Sequence, residues 1–348
     1  MTLAGAPPAS AAAKPATVVS GLDSPRGLAA GPGNRIYYAE IDGTVTMFRT
    51  KGHHAGKKHR LFQVPAGFIA PAIDVTSHGR VFALSNGTLY RWSPRHGVHP
   101  VADIVAYQQG DPDPYNLADD PGESNSFGVA ALRDGTVLVS DAAGNDLLRV
   151  WPDGHIVTVA RLKPRIVEVP QGFPATDPEG NPLPPAGTKI PSEAVATSVT
   201  VGADGYYYVG ELRGFPATPG TSQVWRIKPG SVGAVCDPAA PSTGRCKRYA
   251  DGFTSIVDLA AGRDGSIYVD ELVKASWFAW EALGAEPIGA VYRISPHRGK
   301  VTELAAGQLT LPGGVAVSKN GQVYVAYPVF GEGQIVRLAG VGKHGHHH

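Results

Sequence analysis

Acidic and polar side chains recur at matching places along this chain. Glu40, Asp141, Glu211 and Glu271 each close an alternating apolar run, and Asn86 and Tyr327 stand near the corresponding points of two further runs. Arg26, Asp74, Asn125, Ser126, Thr197, Ser198, Thr254, Ser255 and Asp258 lie beside the starts of the paired runs. If the fold gathers these groups around one axis, they form a polar collar. Three readings stand for such a collar. Glu40, Asp141, Glu211 and Glu271 would supply oxygen ligands for Ca²⁺ or another divalent cation. Glu211, Glu271 and Asp258 would serve as acid–base groups, since crowded carboxylates raise one another's pKa. Or the acids are structural and cap neighbouring backbone N–H groups.

The elements that must position these groups follow from an internal repeat. Six segments read alike: 25–40 (PRGLAAGPGNRIYYAE), 72–86 (AIDVTSHGRVFALSN), 127–141 (FGVAALRDGTVLVSD), 197–211 (TSVTVGADGYYYVGE), 256–271 (IVDLAAGRDGSIYVDE) and 313–327 (GGVAVSKNGQVYVAY). Each is a short apolar strand, a tight turn and an alternating strand. The Asp-Gly and Asn-Gly turns supply the positive φ that hairpins need. The markers Asn34, Gly79, Gly135, Gly205, Gly265 and Gly321 are 45 to 70 residues apart, the spacing of propeller blades with insertions. A third and a fourth strand follow each hairpin, except that the sixth copy lacks its fourth. The segment 16–22 (ATVVSGL) reads as the missing strand. The expected fold is therefore all-β, a six-bladed propeller over residues 16–340 whose last blade is closed by the N-terminal strand. Closure would hide edges that otherwise invite aggregation.

Composition agrees. Gly (44) and Pro (30) are abundant, yet 43% of the residues are apolar, which favours many short packed strands over disorder. Formal charge is +1 and no basic stripe stands out, so a nucleic-acid partner is not indicated. No apolar run approaches the roughly 20 residues of a membrane span. Residues 1–15 read as a flexible remnant left by signal-peptide cleavage, and 341–348 as a flexible tail in which His346–His348 is a tag remnant. Cys236 and Cys246, the two cysteines, suit a disulfide in an exported protein. The expected location is secreted or extracytoplasmic.

With strands alternating in direction from the axis outward, the connections fall on two faces. The long insertions 105–125, 163–196, 213–222 and 272–289 share one face; only 229–245 is long on the other. Long loops on a rigid scaffold carry function, so the insertion face is the expected ligand-facing end. There Arg26, Glu40, Asp74, Asn125, Ser126, Thr197, Ser198, Ser255 and Tyr327 are candidate ligand-binding groups. Trp277 and Trp280, spaced as in a short amphipathic helix, would cover the ligand or meet a partner. The acidic segment 111–123 and the run of His53, His54 and His59 among Lys51, Lys57, Lys58 and Arg60 read as solvated loops. No nucleophile elbow, HExxH pair, CxxC pair, phosphate loop or dinucleotide fingerprint is present.

The segments 21–32, 123–132, 141–150, 196–216, 252–271 and 311–326 resemble the NHL type of propeller repeat, with Asp141, Asn145 and Arg149 looking like a within-blade hydrogen-bond set. More specifically, the chain resembles the ScyD/ScyE family of exported propellers, named after components of the scytonemin biosynthesis cluster. The likeness runs from about Val18 to Leu338 and is most distinctive at 210–216 (GELRGFP). It implies export, six blades and a place in specialised metabolism, with a small-molecule ligand bound, and even transformed, at the channel mouth. Two alternatives remain open: a non-catalytic module for a protein or surface partner, and a metal-dependent lactonase of the wider SMP-30/gluconolactonase type. In the lactonases an early acid helps hold the metal; here Pro25 and Arg26 occupy that place, while Asn125 and Asp258 match in residue type.

Overall fold

Residues 14–177, 180–296 and 299–338 are described by the computed structural model. The two terminal segments read above as processing and tag remnants fall mainly outside this range. Six sheets of antiparallel strands follow one another around an axis as blades 1 to 6. Blade 5 shows the plan: Ile256–Ala261 innermost, then Ile267–Glu271, Ala290–Ile294 and Val301–Leu304. The sixth blade runs Gly314–Val317, Val323–Tyr327, Glu332–Arg337 and then Ala16–Asp23, so the first strand of the chain is the outer strand of the last blade.

The second strands read as nearly continuous apolar runs because both of their faces are covered. Tyr208 packs toward blade 5 with Ile256 and Ile267, while its neighbour Val209 packs toward blade 3 with Leu138 and Ala160. Closure is built the same way. Val19 and Leu22 of the first strand share one core with Ile36, Tyr38 and Phe48 of blade 1 and Tyr324 and Ile335 of blade 6. The tight turns carry Gly265 at φ +84° and Asn34 at φ +57°, which explains how Asn replaces Gly in the first copy. Turn acids also recruit the third strand. Asp134, Asp204 and Asp264 pair with Arg149, Arg226 and Arg293 in blades 3, 4 and 5.

Two features go beyond the sequence reading. The connection 229–245 is not a free loop: Ala234–Cys236 adds a fifth strand, parallel to Ile156–Leu162 of blade 3. The disulfide Cys236–Cys246 ties that strand back to the outer strand of blade 4, Cys246–Phe253. The set Asp141, Asn145 and Arg149 also divides. Asp141 accepts from the backbone N–H groups of Asn125, Ala143 and Gly144, Asn145 donates to Asp113, and Arg149 turns to Asp134.

Two short helices complete the fold, α1 (Ile104–Gly110) and α2 (Trp277–Leu283), both in connections on the insertion face. Among the described residues no helix is long and apolar enough to cross a membrane. Because Leu22 is 3% exposed in the core that joins the chain ends, Leu22→Ala should destabilise the ring by about 2–5 kcal/mol, read from urea unfolding.

Candidate functional site

The innermost strands converge on a channel of about 250 Å³, and above it, on the insertion face, lies a mouth cavity of about 540 Å³. Arg26 borders both. Its guanidinium stacks on the Phe127 ring at 3.8 Å and donates to the Ala70 carbonyl at 3.3 Å and to the Phe127 carbonyl. Burial lowers its pKa to about 10, against the pull of Asp258, so it remains charged at neutral pH. Arg26 thus separates an acidic channel from a more apolar mouth.

Asp74 and Asp258 line the channel. Each bridges two blades. Asp74 accepts from Val75 N and, across to blade 3, Ala131 N, both at 2.7 Å. Asp258 accepts from Leu259 N at 2.9 Å and, across to blade 6, Val315 N at 2.8 Å. Burial pushes Asp74 up to about 6 and Asp258 up to about 7, with Arg26 and the donated N–H groups opposing the rise at Asp258.

At the mouth the floor is Arg26, Asn125 and Ser126, with the Ser126 hydroxyl oxygen buried and unpartnered among the described residues. The walls are mostly apolar, with Phe68, Val329, Phe330 and Trp277 prominent, and they also carry Ser85, Asn86, Ser124 and, on α2, Glu281, whose carboxyl burial pushes above its ordinary pKa. Phe68 is 89% exposed and stands free at the rim. Helix α2 is held over the opposite side. Trp277 Nε1 donates to the Arg213 carbonyl at 2.9 Å and its backbone N–H to Ser255 Oγ at 3.0 Å. Phe278 stacks on Phe173 at 4.9 Å, locking α2 to the insertion 163–196, and Trp280 stacks on Phe330 at 6.0 Å. The second blade departs from the others with a two-residue turn, Asn86-Gly87, which itself lines the cavity and leaves that side low.

The collar read from sequence therefore divides into three. Arg26, Asn125, Ser126 and Trp277 meet at the mouth, and Asp74 and Asp258 meet Arg26 in the channel. Glu40, Asp141, Glu211, Glu271, Thr197, Ser198, Ser255, Trp280 and Tyr327 line neither. The strand-end acids instead pin the loops that enter each blade. Glu40 accepts from Asp23 N at 3.0 Å, Asp141 from Asn125 N at 2.9 Å and Glu271 from Thr254 N at 2.6 Å. Glu211 takes Arg213, Gln223 Nε2 and Trp225 Nε1 inside its own blade. Thr197 Oγ1 donates to the Ile256 carbonyl of the next blade. A divalent cation does not fit this set: the four candidate ligands face four separate groups of donors, and among the described residues no three His, Cys, Asp or Glu converge.

Phe68, Phe127 and Phe330 are functional candidates that the sequence reading passed over, since lone aromatics in loops carry no periodic signal. Asp270 was also passed over, though its position announces it. The residue before each strand-end acid is small elsewhere (Ala39, Ser140, Gly210), and Ala326 precedes Tyr327; blade 5 places an aspartate there. Asp270 is fully buried, sits directly across the strand pair from Asp258, and has no hydrogen-bond partner for either oxygen among the described residues. Burial first, then Asp258 and Glu271, push it well above the usual carboxylate range.

No family model matches the chain, and no curated protein matches it by sequence. Solved structures do. The chain is similar to a streptogramin B lyase (14% identity, TM-score 0.50, covering 93% of this chain and 97% of that one). It is similar to the PQQ-bound aldose sugar dehydrogenase of Streptomyces coelicolor (16% identity, TM-score 0.54, 92% and 96%). It is also similar to a gluconolactonase of Xanthomonas campestris (11% identity, TM-score 0.55, 92% and 88%). The neighbours are six-bladed propellers of the SMP-30/gluconolactonase and virginiamycin B lyase type, and at these identities the likeness shows the fold.

The buried acids give the stability a definite pH dependence. Asp74, Asp258 and Glu271 are raised to about 6, 7 and 8, so the folded protein keeps protons that the unfolded chain releases near pH 4. Their stabilising contribution is full below about pH 4 and is lost as pH rises through about 6 to 8. The melting temperature should therefore fall between pH 5 and pH 8.5. Asp270→Ala, which installs the residue found before Glu40 and Tyr327, should raise stability at pH 8 by about 1–3 kcal/mol by removing an unpaired buried carboxyl. The gain should shrink at pH 5, as differential scanning calorimetry at the two pH values would show.

Proposed function

We propose that this chain is an exported, ScyD/ScyE-like propeller that binds a small organic molecule at the mouth of its channel. The observation that carries the reading is the 540 Å³ cavity itself: mainly aromatic and aliphatic walls, with Glu281 at one side, over a floor of Arg26, Asn125 and Ser126. A cavity of this size with few convergent polar groups matches ordinary small-molecule sites. The ligand that suits it has a flat apolar body for Phe68, Phe330 and Trp277 and an acceptor group for Arg26, Asn125 and Ser126. The similar structures named above include a lyase, a sugar dehydrogenase and a gluconolactonase, which supports a small molecule over a structural role. The disulfide supports export. A place in specialised metabolism rests on the family resemblance.

Of the three carboxyls read as acid–base groups, only Asp258 borders the axial space, and Arg26 stands between it and the mouth. The reading is therefore one of binding, with Asp258 as the proton-carrying group if chemistry accompanies it. The dye 1-anilinonaphthalene-8-sulfonate, an apolar aromatic anion, tests the cavity directly. It should bind at one equivalent with enhanced emission, and Phe68→Ala and Asn125→Ala should each weaken it about three- to tenfold without changing the melting temperature. Unchanged affinity in both variants would remove the cavity from the proposal.

A further inference from the structure

The face opposite the mouth has a charge asymmetry that no single segment displays. Between Gly43 and Pro100 the sequence has eight Lys or Arg and six His, against one acid, Asp74, and that acid is buried in the channel. The fold gathers the exposed basic members. Lys51, His53, His54 and Lys57 occupy the outer turn of blade 1, and Lys58, His59 and Arg60 begin the strand that follows it. His78 and Arg80 occupy the inner turn of blade 2, and Arg95 and His96 its outer turn. On the other side of blade 1, Lys319 and Arg337 occupy the same end of blade 6 and are exposed. Three consecutive blades thus present cations at one end of the ring.

The repeat explains why these charges are uncompensated. In blades 3, 4 and 5 the turn aspartate captures an arginine of the third strand. In blades 1, 2 and 6 that turn position holds Gly33, His78 and Asn320 instead. Arg91, the blade 2 counterpart of those arginines, donates to His99 at 2.8 Å. No ion pair engages Lys51, Lys57, Lys58, Arg60, Arg80 or Arg95 among the described residues. Blades 3, 4 and 5 each offset one arginine of this face with a turn acid, and blades 1, 2 and 6 lack that offset.

We propose that this basic face of blades 6, 1 and 2 docks on an anionic lipid bilayer surface, leaving the mouth turned away from it. Clustered Lys and Arg are drawn to the negative potential of such a surface without inserting. The charges stand in and beside the turns of neighbouring blades at one end of the ring. Among the described residues the patch exposes no Phe, Tyr or Trp, since the exposed Phe68 and Phe330 belong to the mouth, and its exposed rings are imidazoles, His53 and His54 among them. It therefore lacks the large aromatic platform on which successive bases of single-stranded nucleic acids stack. The reading is independent of what the mouth binds.

The test is co-sedimentation of the full chain with vesicles of phosphatidylcholine containing about 30 mol% phosphatidylglycerol, enough anionic lipid to attract a polybasic surface. At low salt the protein should pellet with these vesicles and not with pure phosphatidylcholine, and about 300 mM NaCl should release it, because screening shortens the reach of exposed charges to a few ångströms. The five-fold variant Lys57→Glu, Lys58→Glu, Arg60→Glu, Arg80→Glu and Arg95→Glu should lose at least about tenfold in partitioning, given a contribution from each charge near the surface. Lys228→Glu with Lys300→Glu, exposed on the same face of blades 4 and 5, should retain binding. Circular dichroism melting checks that each variant is folded. Equal binding to neutral vesicles, indifference to the five reversals, or capture by dextran sulfate but not by the anionic vesicles would overturn the proposal.

Discussion

The mouth depends on one interaction repeated around the ring: a carboxylate at the end of a second strand accepting a backbone N–H from the loop that enters the same blade. Glu40, Asp141 and Glu271 do this in blades 1, 3 and 5. A buried loop N–H without a partner is costly, and a carboxyl oxygen placed beside it supplies the acceptor. Each such bond fixes where the chain turns inward, and so fixes Arg26 and Asn125 at the mouth. The acids that look most chemical in the sequence are thereby consumed in holding the less conspicuous groups that line the cavity. The mouth cavity is lined largely by loops, and their entry points are clamped by strands.

The fold was legible because its signals are local and repeated. Tight turns with apolar runs on either side mark every blade, Asp-Gly or Asn-Gly in blades 3 to 6, His-Gly in blade 2 and Gly-Asn in blade 1, and 16–22 reads as the missing strand of the one incomplete sheet. The face bearing the mouth was legible from where chain length accumulates. The direction of individual side chains was not. At Ser126/Gly128, Ala196/Ser198 and Ile256/Asp258 the inner strands carry register shifts just where they meet the rim. A bulge re-aims side chains against simple alternation, so in the shifted strands Thr197 and Ser198 turn into the wall while Asp258 reaches the axis. Nothing in the order of residue types announces that exchange.

The basic face illustrates the same limit from the other side. Lys51 to Arg60 read alone is a solvated turn, and Arg80 and Arg95 are inconspicuous singly. Their sum appears only when the ring sets blade 2 beside blade 1, and the missing turn acids appear only when blades are compared position by position. Asp270 belongs to the same class of observation. One copy departs from the others at a buried position, and the departure adds a third carboxyl beside Asp258 and Glu271 where the other blades place a small or apolar residue.

The fifth strand of blade 3 changes what the ring is mechanically. Ala234–Cys236 leaves blade 4, pairs with the rim of blade 3 and returns through a covalent link. In a six-membered ring the boundary between blades 3 and 4 lies diametrically opposite the boundary between blades 6 and 1, next to which the chain ends meet. One end of that diameter is a strap across the rim, and the other is a seam held by a single strand's hydrogen bonds and its apolar contacts. The ring is thus fastened in two unlike ways: covalently between blades 3 and 4, and between blades 6 and 1 by strand pairing and the core around Val19 and Leu22 alone.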